Sequence, residues 1–440
     1  MNEESVSCTD GDETTDGREA GSPAKLRNDA ERIARSAIDE CLPEAAVRRA
    51  LDGRSFPGRV VLVSVGKAAW RMADAALGLL GDRIARGVVV TKYGHSGGAL
   101  RDFDIIEAGH PVPDGNSLKG AEASLEAVRN LDERDTVLFL VSGGGSALFE
   151  CPLPGVSLAD LENVTRRLLE SGADIREINT IRKRLSSVKA GRFALAARPA
   201  HVLTLALSDV LGDRTDTIAS GPTAPDGTTS DEAFRILSGY GIVIPESLSG
   251  RLSIETPKVL PKSEYVVVGS VRTLCDHAAE KAAELGYRVV VLTTSLNCEA
   301  REAARFLASI AREELSADRP AECPCAVIAG GETVVRVTGR GLGGRNQEIA
   351  LSAACSLDGI RGAVLLSVGS DGSDGPTDAA GGIADWNTAA RIRTAGGDPE
   401  AFLRDNDSYH ALDLAGDLLK TGPTGTNVND LAIVLCDRSW

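Results

Sequence analysis

Six glycine-rich polar loops, each set just after an apolar strand-like stretch, constrain this chain more than any other feature. They read VSVGKAAW (63–70), LVSGGGSAL (140–148), LALSDVLGD (205–213), GRGLGGRNQE (339–348), SVGSDGSDGPTDAAGG (367–382) and TGPTGTNVND (421–430). Glycines let backbone N–H groups approach an anion, Lys and Arg supply charge, and Asp can hold Mg²⁺. Strand, loop and helix in repeated alternation fold as α/β, with ligands at the carboxyl ends of the strands. The loops occupy both halves of the chain, which points to one site assembled where two domains meet.

The alternation predicts strands at VVLVSV (60–65), GVVVTK (87–92), TVLFLVS (136–142), VLTLAL (202–207), YVVVGS (265–270) and TVVRVTG (333–339), among others. Capping-box starts at Ser157 with Asp160 and at Asp174 with Glu177 predict two helices. The second is read as the basic stretch INTIRKRLSSVKAGR (178–192). Residues 221–262, rich in Pro, Gly and Ser, read as loops and a connection. Residues 1–22 read as a disordered acidic tail. The expected division is 23–250 for an N-terminal α/β domain with a mostly parallel sheet, and 251–440 for a smaller C-terminal α/β domain.

A net charge of −15 argues against a nucleic-acid partner. The chain contains no apolar run long enough to span a membrane, and the start lacks a signal-peptide layout. Nine cysteines without framework spacing read as reduced thiols in a cytoplasmic protein. Cys323 and Cys325 lie close together, but no second Cys/His pair completes a zinc motif.

Lys67 stands at a strand-to-helix junction, where its ammonium points at the ligand end of a sheet. The plainer reading, an exposed Lys, meets the objection that a helix first turn disfavours cations. The run Ser142, Gly143, Gly144, Gly145 and Ser146 makes a nest of N–H donors with two hydroxyls. A plain turn does not need the entropy cost of three consecutive glycines. Asp209, Asp213, Asp371, Asp374 and Asp378 follow strands and suit Mg²⁺ or a general base, although turn and cap roles account for some of them. Gly339, Gly341 and Gly344 match a dinucleotide fingerprint. The preceding TVVRVT alternates and carries Arg336, and Arg345, Asn346 and Gln347 stand where small apolar residues are usual. Phosphate or acid binding through Arg345 and the loop amides is therefore preferred. In the basic run Arg182, Lys183, Arg184, Lys189 and Arg192, only part can face one ligand, and a solvated face is the ordinary explanation. His110 reads as structural.

Taken together, VGKAAW, GHPVPDGNS, SGGGSAL, NTIRKRLSSVKAGR, LSDVLGD with IASGPT, GGETVVRVTGRGLGGRNQE, SDGSDGPTDAAGG and TGTNVNDL resemble the class II glycerate kinases, in order from about Ala24 to Leu435. Leu211, Ala190 and Ser370 depart from the family's usual Pro, Gly and Thr. The resemblance implies a Rossmann-like αβα N-terminal domain and a smaller C-terminal α/β MOFRL domain, with the site in the cleft between them. It implies ATP-dependent phosphorylation of the 2-hydroxyl of D-glycerate, with Mg²⁺. Carried over by motif, Lys67, Arg345 and Asp209 are the expected catalytic residues. Residues 142–146, Arg182, Lys189 and Asn346 are the expected substrate or phosphate contacts, and Asp371 and Asp374 the expected metal ligands. Some relatives bear the name hydroxypyruvate reductase, which keeps an NAD(P)H-dependent oxidoreductase as the alternative. A non-catalytic sensor would bind without turnover. Partners are small molecules, and a homodimer stays open.

Overall fold

The structure, a computed structural model, describes residues 23–439; the expected acidic tail lies outside them. The first sheet contains β1 (Val60–Val65), β2 (Ile84–Lys92), β3 (Asp104–Ala108), β4 (Thr136–Val141), β5 (His201–Leu207) and β6 (Ser263–Gly269). All its pairs are parallel, in the order β3-β2-β1-β4-β5-β6. β1 and β4 are buried along their whole length, which is why they read as continuous apolar runs rather than alternating ones. Alternate residues still serve opposite faces. Val61, Val63 and Val65 pack with Phe139, Phe149 and Phe193, while Val60 and Leu62 pack with Met72, Leu138 and Leu140. This strand order is doubly wound, and it reverses direction between β1 and β4, where such sheets bind ligands.

The second sheet contains β7 (Arg288–Leu296), β8 (Cys325–Gly331), β9 (Ala363–Gly369), β10 (Gly381–Asp385), β11 (Leu418–Leu419) and β12 (Asp430–Cys436). Its order is β11-β10-β9-β12-β8-β7. Only β7–β8 is parallel; the other pairs are antiparallel.

Two observations shift the expected division at residue 250. β6 pairs with β5 and closes the first sheet, which therefore extends to Gly269. The helix Pro23–Glu40 lies on the second sheet instead, with Leu26, Ala30, Ile33 and Ala37 in one core with Val271, Leu274, Ile328 and Ile433. Arg27 fastens it there, 2.8 Å from Asp385 and 2.7 Å from Asp417. The chain thus starts on one sheet, builds the other and returns.

Both capping boxes form as expected. Three local readings differ. The basic helix is Ile175–Leu185 and stops short of 192, because the chain turns extended at Ser186 and Arg192 ties the break by donating to the carbonyls of Lys183 and Ser186. Residues 221–262 hold two helices, Ser230–Gly239 and Glu246–Leu252. Thr229 caps the first through the Glu232 amide. TVVRVTG forms no strand beyond a single bridge between Val334 and Glu299, and Val337 is exposed.

Candidate active site

The loop after β1 and the loop after β4 lock together at the switch point. The Lys67 amide donates to the Gly143 carbonyl at 2.9 Å, and the Ala68 amide donates to Ser142 Oγ at 3.0 Å. Gly66, at φ +124°, allows this approach; a Cβ there would stand 2.3 Å from Ser142 Oγ. Ser142 is thereby buried as a latch between the loops, not a ligand contact. No hydrogen-bond acceptor for the Gly143 and Gly144 amides is found among the described residues. They leave two N–H groups open to an anion.

Lys67 sits over this nest, and among the described residues its ammonium has no ion pair or hydrogen-bond partner. Asp209 faces it from the loop after β5, with Oδ2 2.5 Å from where a Gly143 Cβ would stand. Burial raises the Asp209 carboxyl, Lys67 opposes this, and Glu332 of the second sheet raises it further. His110 lies against Gly144, and the main-chain oxygen of Lys67 stands 3.2 Å from His95 Nδ1. Burial, then the charges of Lys67, Lys92 and His95, hold His110 below its ordinary value. These contacts place His95 and His110 beside the Lys67 loop.

The second sheet contributes a charged knot. The Arg345 guanidinium grips Asp430 with both ends of its fork, at 2.6 and 3.0 Å, and reaches Glu332 at 2.8 Å. Burial opposes the Arg345 charge, but Asp430 and Glu332 overcome this and hold it protonated. Asn429 Nδ2 donates to Glu332 at 3.3 Å, while its buried Oδ1 has no partner among the described residues. Glu332, Asn429 and Asp430 were visible inside GGE and TNVND, but carboxylates at the edges of two distant motifs show no spacing signal. The two halves meet directly where Arg71 donates to the Thr424 carbonyl at 2.9 Å.

Other expected contacts have different places. Lys189 is wholly buried and donates to the carbonyls of Ser146 and Phe149 at 2.8 and 3.0 Å, with Glu150 at 3.4 Å. Burial pushes its amine down to about 8. It holds the floor of the nest and cannot reach a phosphate. Arg182 also donates to the Ser146 carbonyl, at 3.2 Å, from behind. The Ser146 hydroxyl is tied to Ser220 at 2.9 Å. Gly145 opens the short helix Gly145–Leu148. Asn346 is buried, accepting from Ser367 Oγ at 2.6 Å.

Asp374 does not fit a metal ligand. Its Oδ1 accepts the Asn346 amide at 3.1 Å and its Oδ2 accepts the Gln347 amide at 2.8 Å and Gln347 Nε2 at 3.0 Å. It caps the helix Arg345–Leu357, and its lone pairs are committed. Asp371 is half-buried and accepts one bond, from the Ser373 amide at 2.9 Å. The dinucleotide-like glycines also have another purpose. Cβ atoms on Gly339 and Gly341 would collide with the Asp405 main chain and with Asp407, so these glycines let 339–341 lie against 405–407 rather than against a pyrophosphate.

An unpaired Lys, two open amides and a carboxylate at the switch point of a doubly wound sheet are groups of the kind a phosphoryl-transfer enzyme uses. Residues 29–253 match the family described as Domain of unknown function (DUF4147), and residues 325–430 match the MOFRL family. The chain is 56% identical to a D-glycerate 2-kinase of Thermotoga maritima, over 94% of this chain and 99% of that one. It is 43% identical to a glycerate 2-kinase of Pyrococcus horikoshii, over 88% and 89%. A crystal structure of glycerate kinase from Thermotoga maritima superposes with a TM-score of 0.92, covering 94% of this chain and all of that one at 56% identity. The chain belongs to the glycerate kinase family with a C-terminal MOFRL domain. Among the described residues no helix is long and apolar enough to cross a membrane.

Proposed function

We propose that this chain transfers the γ-phosphoryl group of ATP to the 2-hydroxyl of D-glycerate, giving 2-phospho-D-glycerate and ADP. The observation that carries the reading is the unpaired Lys67 ammonium above the open Gly143 and Gly144 amides, facing Asp209. Phosphoryl transfer needs alignment and charge neutralisation more than covalent chemistry. The O–P bond to glycerate forms as the bond between the γ-phosphorus and its bridging oxygen breaks. Asp209, its carboxyl raised by burial, takes the hydroxyl proton. Lys67 and the nest amides stabilise charge on the transferring group. Arg345 acts partly through its neighbours, holding Asp430 and Glu332 in place at the facing wall.

The second half offers Mg²⁺ two hard oxygen donors of the kind it takes, the orphaned Asn429 Oδ1 and the half-buried Asp371 carboxylate, which accepts a single bond. When bound it would neutralise phosphate charge. The structure of the dinucleotide-like loop favours this function over hydride transfer, because its glycines pack against protein. Incubation with ATP, Mg²⁺ and D-glycerate, followed by NMR of the product, tests the reading. Formation of 2-phosphoglycerate and ADP supports it. NAD(P)H oxidation with hydroxypyruvate and no ADP from glycerate refutes it.

A further inference from the structure

The cleft uses one end of the second sheet. At the other end, about 20 Å along β8, a second group of chemically active side chains converges. β8 begins at Cys325, which lies opposite Cys436 at the end of β12. The helix Ala300–Ala317 delivers Glu314 to the same point. Glu314 Oε2 accepts from Cys325 Sγ at 3.0 Å, and Cys323 Sγ stands 4.0 Å from Cys325 Sγ. One ligand atom from each of Glu314, Cys323 and Cys325 lies within 4.8 Å of the others.

Glu314 is the anomaly. It is fully buried, its Oε1 has no hydrogen-bond partner, and among the described residues no Lys, Arg or His pairs with its carboxylate. Arg438, which reaches the Glu314 main chain, is spent on Asp318 and on the Glu314 main-chain oxygen. A buried carboxylate is costly unless paired or bound to a metal, and a thiol is a weak donor. The spacing supplies the missing partner. Zinc–sulfur bonds of about 2.3 Å at tetrahedral angles set two thiolates about 3.8 Å apart. Thiolates with one carboxylate select zinc over the hard Mg²⁺ of the cleft.

We propose that Glu314, Cys323 and Cys325 bind a structural zinc ion, with Cys436 as the fourth donor. Cys436 is the cross-strand neighbour of Cys325 and donates only weakly to the Ala311 carbonyl, at 3.9 Å. Binding releases three thiol protons to solvent. The ion fastens the end of the helix Ala300–Ala317 to the outer ends of β8 and β12. It takes no part in the reaction at the cleft.

The test uses the full chain, purified under reducing conditions, stripped with chelator and titrated with Zn²⁺ or Co²⁺ alone. The expected result is one zinc per chain, a thiolate-to-cobalt charge-transfer band, and a rise in unfolding midpoint of at least about 5 °C. Cys323→Ser, at a half-buried position that tolerates the change, should weaken zinc binding by about tenfold or more and reduce the cobalt band. Glu314→Gln should weaken binding while keeping the band. Cys298→Ser, exposed and outside the cluster, should do neither. Cobalt bound without a thiolate band, or zinc binding unchanged in Cys323→Ser, would overturn the proposal. So would a reduced chain that takes no zinc because these thiols serve only as a disulfide pair.

Discussion

Replacing Asp374 by Ala separates a helix cap from a metal ligand. The substitution strips the Asn346 and Gln347 amides of their acceptor, at a position where Asp374 is 3% exposed and water cannot substitute freely. Each unsatisfied buried amide costs about 1–3 kcal/mol. Loss of the negative charge at a helix N-terminus adds about 0.3–1 kcal/mol. Since these effects overlap, the net destabilisation should be about 3–5 kcal/mol. For a unit of this size that lowers the unfolding midpoint by roughly 6–20 °C, readable by scanning calorimetry. Asp371→Asn is the control, since Asp371 gives up one exposed bond to Ser373. It should shift the midpoint little and weaken the dependence of rate on Mg²⁺. Should Asp374→Ala melt like the native chain yet need far more Mg²⁺, the cap assignment is wrong and the carboxylate is a ligand.

Arg345→Ala should lower kcat/KM by about 10²-fold or more, the scale of one lost transition-state donor, in a steady-state assay of ADP release. Burial lifts the Asp430 carboxyl to about 6, with Arg345 opposing, so the charge that grips Arg345 is lost as pH falls through that value. The rate profile should carry an acid limb near pH 6 that Asp430→Asn removes. Stability runs the other way. A carboxyl raised above its unfolded value of about 3.9 contributes most below that pH and loses its contribution as pH rises through about 6. Urea titrations of the native chain and Asp430→Asn should diverge across that window. Because Lys67 and Asp209 stand on one sheet and Arg345 and Asp371 on the other, an ATP analogue and glycerate should each tighten the other's binding by ~1–3 kcal/mol. Calorimetric titrations that show independent affinities would remove ligand-driven closure.

The fully buried strands were legible because VVLVSV and TVLFLV leave no polar face, and the capping boxes because their spacing is local. Lys67 and the SGGGS run stand out for the same reason, each lying just after such a strand, and the fold brings their two loops together. Distance in sequence hid the rest. Nothing within Leu26, Ala30 and Ile33 says that their helix belongs to a sheet built three hundred residues later. TVVRVTG has strand composition but no neighbour to pair with. Lys189 and Asp374 carry the charges of ligand-binding residues. Only the fold shows Lys189 under the nest with two carbonyls and Asp374 on two helix amides. Conversely, Glu332 follows β8 and Asn429 precedes β12, and only the antiparallel β8–β12 pairing brings them together.

Lys67→Ala provides the sharpest measurement, because among the described residues that ammonium has no partner to lose. ADP release and product NMR with ATP, Mg²⁺ and D-glycerate should show kcat/KM reduced by about 10²-fold or more, with an unfolding midpoint close to that of the native chain. Turnover within about threefold of the native rate would contradict the placement of the reacting phosphate over the loops after β1 and β4.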